Sequence, residues 1–162
     1  MKYIISLALL VVFGLSLLSM KDQSPEAGVV NWITFEELEK SFKKEPRPIL
    51  FDVYTDWCGP CQMMKKRVFT DPKLVRYIND NYYAVAVNAE ARKEVKFNGK
   101  TFSWKPEGRN GYNEIADYVT DNKCIGYPTI SIMDKNKRVV YAKSQYHEIG
   151  KMLYLLKKHN KE

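Results

Sequence analysis

Cysteine and histidine are scarce in this 162-residue chain, which has three of the first and two of the second. That scarcity excludes a cysteine-rich disulfide scaffold and leaves little from which to build a metal centre. Besides a Cys-x-x-Cys pair there are only Cys124, His147 and His159, and none stands at the paired spacing of zinc ligands. No cysteine follows the amino-terminal apolar run, which removes the acceptor a bacterial lipoprotein needs, and no small-x-small cleavage site stands out there. Internal repeats and low-complexity tracts are absent, so the chain is not read as a solenoid or array. The formal charge is +7, yet the lysines are spread out rather than clustered with stacking aromatics at nucleic-acid-motif spacing. Solubility, or a weak pull toward anionic surfaces, is the reading; no nucleic-acid partner and no cofactor are expected.

Tyr3 to Met20 is an uninterrupted apolar and small-residue run between Lys2 and Lys21. Its length lies at the border between a secretory signal and a spanning anchor, so residues 1–20 are expected to direct the chain into or across a membrane. Residues 21–28 read as a polar linker and 29–162 as one domain. Removing residues 1–24 takes away only Lys2, Lys21 and Asp22 among the charged groups, so the positive charge belongs to the domain.

Thr34-Phe35-Glu36-Glu37 is a capping box with Ile33 and Leu38 placed as a hydrophobic staple, which predicts a helix ending before Pro46. The apolar runs Ile49 to Tyr54, Tyr82 to Asn88 and Pro128 to Met133 predict strands covered on both faces, with Asp52 the anomaly. Arg138 to Ala142 is expected to pair with the third across a turn, and Val29 to Trp32 to supply a first edge strand. Helices are expected over 61–68, from Asp71-Pro72 until Asn79-Asp80-Asn81 stops it, over about 113–120 and over about 147–159. This alternation specifies a three-layer α/β domain with a central mixed sheet. Residues 89–110 fit none of these elements; Asn98-Gly99 inside them predicts an inserted β-hairpin, followed by a loop.

The chemistry centres on Trp57-Cys58-Gly59-Pro60-Cys61. A two-residue gap closes so small a loop that a disulfide there adds little stability, which favours redox work over a structural bond. At the start of a helix, Cys58 is expected to be solvent-exposed and to have its thiol pKa lowered by unpaired N–H groups and the helix dipole. It would then attack a partner disulfide, and Cys61, one turn inward, would resolve the mixed disulfide. Half a zinc site and an inert disulfide are the alternatives. Asp52, six residues before Cys58, is either a buried acid with a raised pKa that relays a proton for Cys61 or an idle acid at a strand end. Trp57 shields the motif and meets substrate, or simply packs. Cys124 is either a further redox thiol or a small buried hydrophobe.

Phe51-Asp52-Val53-Tyr54-Thr55-Asp56-Trp57-Cys58-Gly59-Pro60-Cys61 resembles the strand-to-active-site segment of the thioredoxin family, and Gly126-Tyr127-Pro128-Thr129 resembles that family's cis-proline loop. The resemblance covers about residues 29–160 and implies the thioredoxin fold. Within it Cys58 is similar to the nucleophile, Cys61 to the resolving cysteine of a Cys58-Cys61 disulfide, Asp52 to the buried acid and Pro128 to the cis-proline. Trp57, Gly59, Pro60, Tyr127 and Pro128 are then the residues expected to meet substrate. The lysine that accompanies the acid in thioredoxins falls near Ala86, where this chain has no basic side chain. Val68 to Val75 resembles the periplasmic branch that includes the carboxy-terminal domain of DsbD. The implied role is a periplasmic or secreted reductase or isomerase of exported protein disulfides, fed by a membrane electron donor such as a DsbD-like reductase. Its Gly-Pro dipeptide is similar to that of reducing members. The contrasting reading is a non-catalytic interaction or metal-carrying module on the same fold, and the 89–110 segment is either a partner-recognition device or a tolerated loop.

Overall fold

The computed structural model describes residues 28–107 and 110–160. The apolar run 3–20 and the linker up to residue 27 lie outside the described residues. Along the chain come α1 (Phe35–Lys44), β1 (Ile49–Tyr54), α2 (Gly59–Met63, continued by a wider π-type turn over Met64–Val68), α3 (Pro72–Asn81) and β2 (Tyr83–Asn88). These are followed by β3 (Val95–Phe97), β4 (Lys100–Phe102), β5 (Trp104–Glu107), β6 (Asn110–Asn113), α4 (Ile115–Thr120), β7 (Thr129–Met133), β8 (Val139–Ser144) and α5 (Ile149–His159).

Local chemistry starts the helices where the sequence places them. The capping box at α1 is closed in both directions: Glu37 N–H donates to Thr34 Oγ1 at 3.2 Å, and Thr34 N–H donates to Glu37 Oε2 at 2.8 Å. Asp71 caps α3 by accepting from the Lys73 and Leu74 N–H groups, with Pro72 at the first helical position, where no N–H is needed.

The main sheet has the order β2-β1-β7-β8 and is mixed: β1 runs parallel to β2 and antiparallel to β7, which is antiparallel to β8. Strand alternation divides β1 between two cores. Leu50 faces one with Met64, Val68, Leu74, Ile78 and Leu156; Ile49, Phe51 and Val53 face the other with Leu38, Phe97, Ile115 and Val119. Each such aliphatic side chain, fully buried, contributes roughly 1.5–3 kcal/mol relative to exposure. Asp52, even-numbered like Leu50, points into the first core, the side of the redox helix α2.

The expected first edge strand over residues 29–32 is corrected to a single parallel bridge, Trp32 to Ala84. The reason is local. Asn79 on α3 donates to the Val29 carbonyl at 3.0 Å and accepts the Asn31 N–H at 2.9 Å, so this stretch is pinned to a helix instead of the sheet. The run Asn79-Asp80-Asn81 closes α3 as expected, with Asn81 the last helical residue and Tyr82 the cap.

Residues 89–110 contain the expected hairpin, β3–β4, with Asn98 and Gly99 both at positive φ (50° and 73°), as a two-residue turn requires. Phe97 carries it onto the domain, with ring centroids 5.4 Å from Phe35 and 6.1 Å from Phe51. The stretch expected to be a loop instead supplies β5 of a second hairpin, β5–β6. Gly111 lies so close under the Trp104 indole that a Cβ there would collide with it, and Arg92 stacks over the same ring at 4.7 Å. The Asn113 amide donates to the Ala91 and Lys93 carbonyls, each at 2.9 Å, which ties this hairpin to the entry of the insertion. Among the described residues no helix is long and apolar enough to cross a membrane.

Candidate active site

β1 ends at Tyr54, and Thr55-Asp56-Trp57 turn the chain into α2, whose N-cap is Cys58. Cys58 and Cys61 are joined as a disulfide. Cys58 Sγ accepts the Cys61 N–H at 3.1 Å, so a backbone donor from the first helical turn already points at the sulfur that must carry negative charge once the pair is reduced. The expectation that Cys58 is exposed is corrected: it is 3% exposed and Cys61 4%. Bonded to Cys61 and held by its N–H, the Cys58 sulfur is drawn back against the helix.

The rim of the site is aromatic. Trp57 is 68% exposed, and its ring stands 6.0 Å from that of Tyr127 in an edge-on arrangement, so the two loops expected to flank the motif do meet. The Tyr127–Pro128 peptide is cis. The loop carrying it is anchored from below: Thr129 Oγ1 donates to the Gly126 carbonyl at 2.6 Å, and Ser144 Oγ accepts the Ile125 N–H at 3.1 Å. Gly59 and Pro60 form the exposed first turn between the cysteines.

Asp52 lies buried on β1, and Oδ1 has no hydrogen-bond partner; Thr55 Oγ1 nearby in sequence is the other such atom among the described residues. Desolvation pushes the Asp52 carboxyl up to about 7, opposed in part by the charge of Lys65. A carboxyl with that pKa holds or releases a proton at neutral pH. Ala86 is paired directly with Asp52 across β1 and β2, so the position read as lacking a lysine does lie beside the acid. The cation that acts on Asp52 comes from α2 instead.

Sequence reasoning missed two contacts made at and just beyond the end of β2. The Trp57 indole N–H donates to both carboxylate oxygens of Glu90 at 3.0 Å, and the Asn88 amide donates to Asp56 Oδ2 at 3.0 Å. The only available signal was a polar Asn-x-Glu at the carboxyl end of a parallel strand, next to the end of β1. Cys124 is half-buried; its thiol is 3.6 Å from Thr129 Oγ1 and 3.8 Å from the Gly126 carbonyl, and burial pushes the thiol up, away from the reactive thiolate. His147 is buried against Tyr141, whose hydroxyl is 2.8 Å from Nε2, and the His159 ring is 5.7 Å from that of Tyr141. The groups a zinc reading requires are therefore dispersed, and among the described residues no cluster of three His, Cys, Asp or Glu could hold a metal ion.

A disulfide at a helix start, with a neutralisable buried acid on the strand that leads into it, is an arrangement for dithiol–disulfide exchange, and comparisons with known proteins agree with it. The family model described as a thioredoxin-like domain matches residues 35–159. The thiol:disulfide interchange protein DsbD of Pectobacterium atrosepticum is 33% identical over 43 residues, which is 26% of this chain and 8% of that protein's length. Among solved structures, a DsbH oxidoreductase superposes with a TM-score of 0.59 at 15% identity, covering 88% of this chain and 93% of that one. The reduced DsbD carboxy-terminal domain of Neisseria meningitidis gives 0.52 at 15% identity, covering 76% and 91%.

Proposed function

The chain belongs to the thioredoxin-like family, and from that premise we propose that it is an extracytoplasmic thiol-disulfide oxidoreductase, a reductase or isomerase of disulfides in exported proteins. The observation that carries the reading is the Cys58–Cys61 disulfide at the start of a helix, reached from a strand that carries the buried Asp52 with Oδ1 unpartnered. In the reduced enzyme the Cys58 thiolate attacks one sulfur of a partner disulfide, and the partner's other sulfur leaves as a thiolate. Cys61 gives its proton to Asp52 and attacks the Cys58 sulfur. The partner departs as a dithiol, and the enzyme is left with the disulfide bond of this structure. Two electrons have moved to the partner, and a membrane dithiol donor of the DsbD kind restores them. Trp57, Gly59, Pro60, Tyr127 and Pro128 form the surface on which the partner chain lies. Support for the location comes from the apolar run 3–20 and the short match to DsbD. Support for a reducing direction comes from Gly59-Pro60, which adds no positive charge to stabilise the thiolate form.

Insulin reduction with dithiothreitol as the donor tests the chemistry. The wild type is expected to turn over and Cys58→Ser to be inactive; an inactive wild type that binds metal stoichiometrically refutes it. Localisation of the full chain in the cytosol refutes the extracytoplasmic part.

A further inference from the structure

The sheet ends at β2, and its outer edge is only begun. Trp32 makes one bridge to Ala84, the chain then turns into α1, and no described residue pairs with β2 beyond that point. Residues of a parallel strand turn their N–H and C=O to opposite neighbours alternately. The Ala84 carbonyl faces outward and accepts the Ile33 N–H at 2.9 Å, whereas the N–H groups of Tyr83 and Ala89 face inward to Pro48 and Tyr54. Ala86 therefore presents its N–H and C=O outward, and Asn88 presents its N–H; the Asn88 carbonyl is taken by the Ala91 N–H at 3.1 Å. Ala86 is also the exposed residue of β2.

A groove of about 870 Å³ lies along this edge, between α1 and the start of the insertion. Phe35, Val85, Val87 and Ile115 make its walls apolar. Its rim is basic in effect. Glu36 is paired with Lys40 and Glu39 with Lys137, and Glu94 keeps its charge, but Lys43, Lys93 and Lys96, with no carboxylate within ion-pair distance among the described residues, outnumber it three to one.

We propose that this edge groove docks an extended acidic segment of a partner protein, which adds a strand to β2 at Ala86 and Asn88 and sets its carboxylates against Lys43, Lys93 and Lys96. Backbone groups along an open edge supply the hydrogen bonds, and the flanking side chains supply the selectivity. Uncovered edges elsewhere are usually blunted by bulges or charges pointing inward, and neither device is present at Ala86. At the upper end Asn88 is bonded to Asp56, next to Trp57, so a segment held here brings the rest of its protein to the rim of the redox site. That last step rests on the proposed exchange function; docking itself does not.

The test uses the full chain in detergent micelles carrying Cys58→Ser and Cys61→Ser, with three extended peptide probes. One alternates Glu and Val, the second alternates Lys and Val, and the third is the Glu peptide N-methylated at every second residue. The Glu peptide is expected to shift the Ala86 and Asn88 amide resonances and slow their hydrogen exchange. The Lys peptide and the methylated peptide are each expected to bind about tenfold more weakly or worse, and Lys93→Glu with Lys96→Glu is expected to invert the charge preference. In chains with both cysteines intact, those lysine substitutions leave insulin reduction unchanged, so loss of docking and loss of exchange chemistry are read separately. Equal binding of the two charges, indifference to methylation, or an Ala86 amide already protected in the free full chain overturns the proposal; the last outcome assigns the groove to residues 1–27 or a second copy.

Discussion

A carboxyl group buried with an unpartnered oxygen resists ionisation, and Asp52 is in that position on β1. Its folded pKa of about 7 lies above the ordinary aspartate value of 3.8, so between those limits the native chain binds a proton that the unfolded chain has released. The resulting stability is fully present below the unfolded value and is lost as pH rises through 7. Asp52→Asn removes the ionisable group, so the variant is expected to gain on wild type by about 3 kcal/mol as pH rises from 5 through 7 and to hold that gain up to pH 9. Urea unfolding of the oxidised proteins across that range measures it, and an unchanging difference refutes the account. The same variant is expected to reduce insulin at least about tenfold more slowly at neutral pH if Asp52 takes the Cys61 proton as proposed, and an unchanged rate refutes that role. Glu90 acts on the opposite rim. Glu90→Ala frees the Trp57 indole N–H and is expected to alter tryptophan emission while costing less than about 1 kcal/mol, since both partners are exposed. A large stability loss there contradicts the assignment.

At the scale of elements, the second inserted hairpin depends on one close approach. Gly111→Ala pushes a methyl group into the Trp104 indole, so β5–β6 must shift and the Arg92 stack must open. A loss of about 1–3 kcal/mol is expected, with insulin reduction retained, measured by unfolding and turnover on the same sample. Asp71→Ala, which removes the cap of α3, is expected to cost about 1 kcal/mol. These elements also show what the sequence makes legible. Thr34 to Glu37, Asn98-Gly99 and the run Ile49 to Tyr54 state their structure locally, through capping, turn chemistry and apolar continuity. The hairpin at Trp104 did not, because Pro106 and the polar residues around it read as loop, and the contacts that fix it join it to Ala91, Arg92 and Lys93, outside the hairpin. Residues 29–32 looked like a strand because nothing in their own composition announces the clamp by Asn79.

For the molecule as a whole, stability is set by opposing titrations. His147 is buried, and desolvation lowers its pKa below 6.5, with Lys151 and Lys143 contributing; the Tyr141 ring and hydroxyl and the Gln145 carbonyl are its neighbours. A lowered histidine pKa means that the unfolded chain gains the proton first, so stability is present above 6.5 and declines as pH falls below it. Asp52 removes stability as pH rises from about 4 to 7, so the two titrations oppose one another over the same acid-side range and neither contributes a slope well above 7. In Asp52→Asn the opposing loss is removed, and stability is expected to rise more steeply from acid pH up to 6.5; a profile parallel to that of wild type refutes the division. The redox pair, its acid and the cis-proline were readable at this scale because they are carried by short motifs. The aromatic rim was only half readable, since Glu90 reaches Trp57 through the fold.

Because β1 sends Asp52 to one side of the sheet and Phe51 to the other, the sheet acts as a bulkhead. The compartment behind it, filled by Phe35, Phe97 and the first inserted hairpin, can be rebuilt by mutation or exchanged for another length of chain while the electron-transfer compartment keeps its proton chemistry. New partners are thus open to this scaffold at no cost to the reaction it performs.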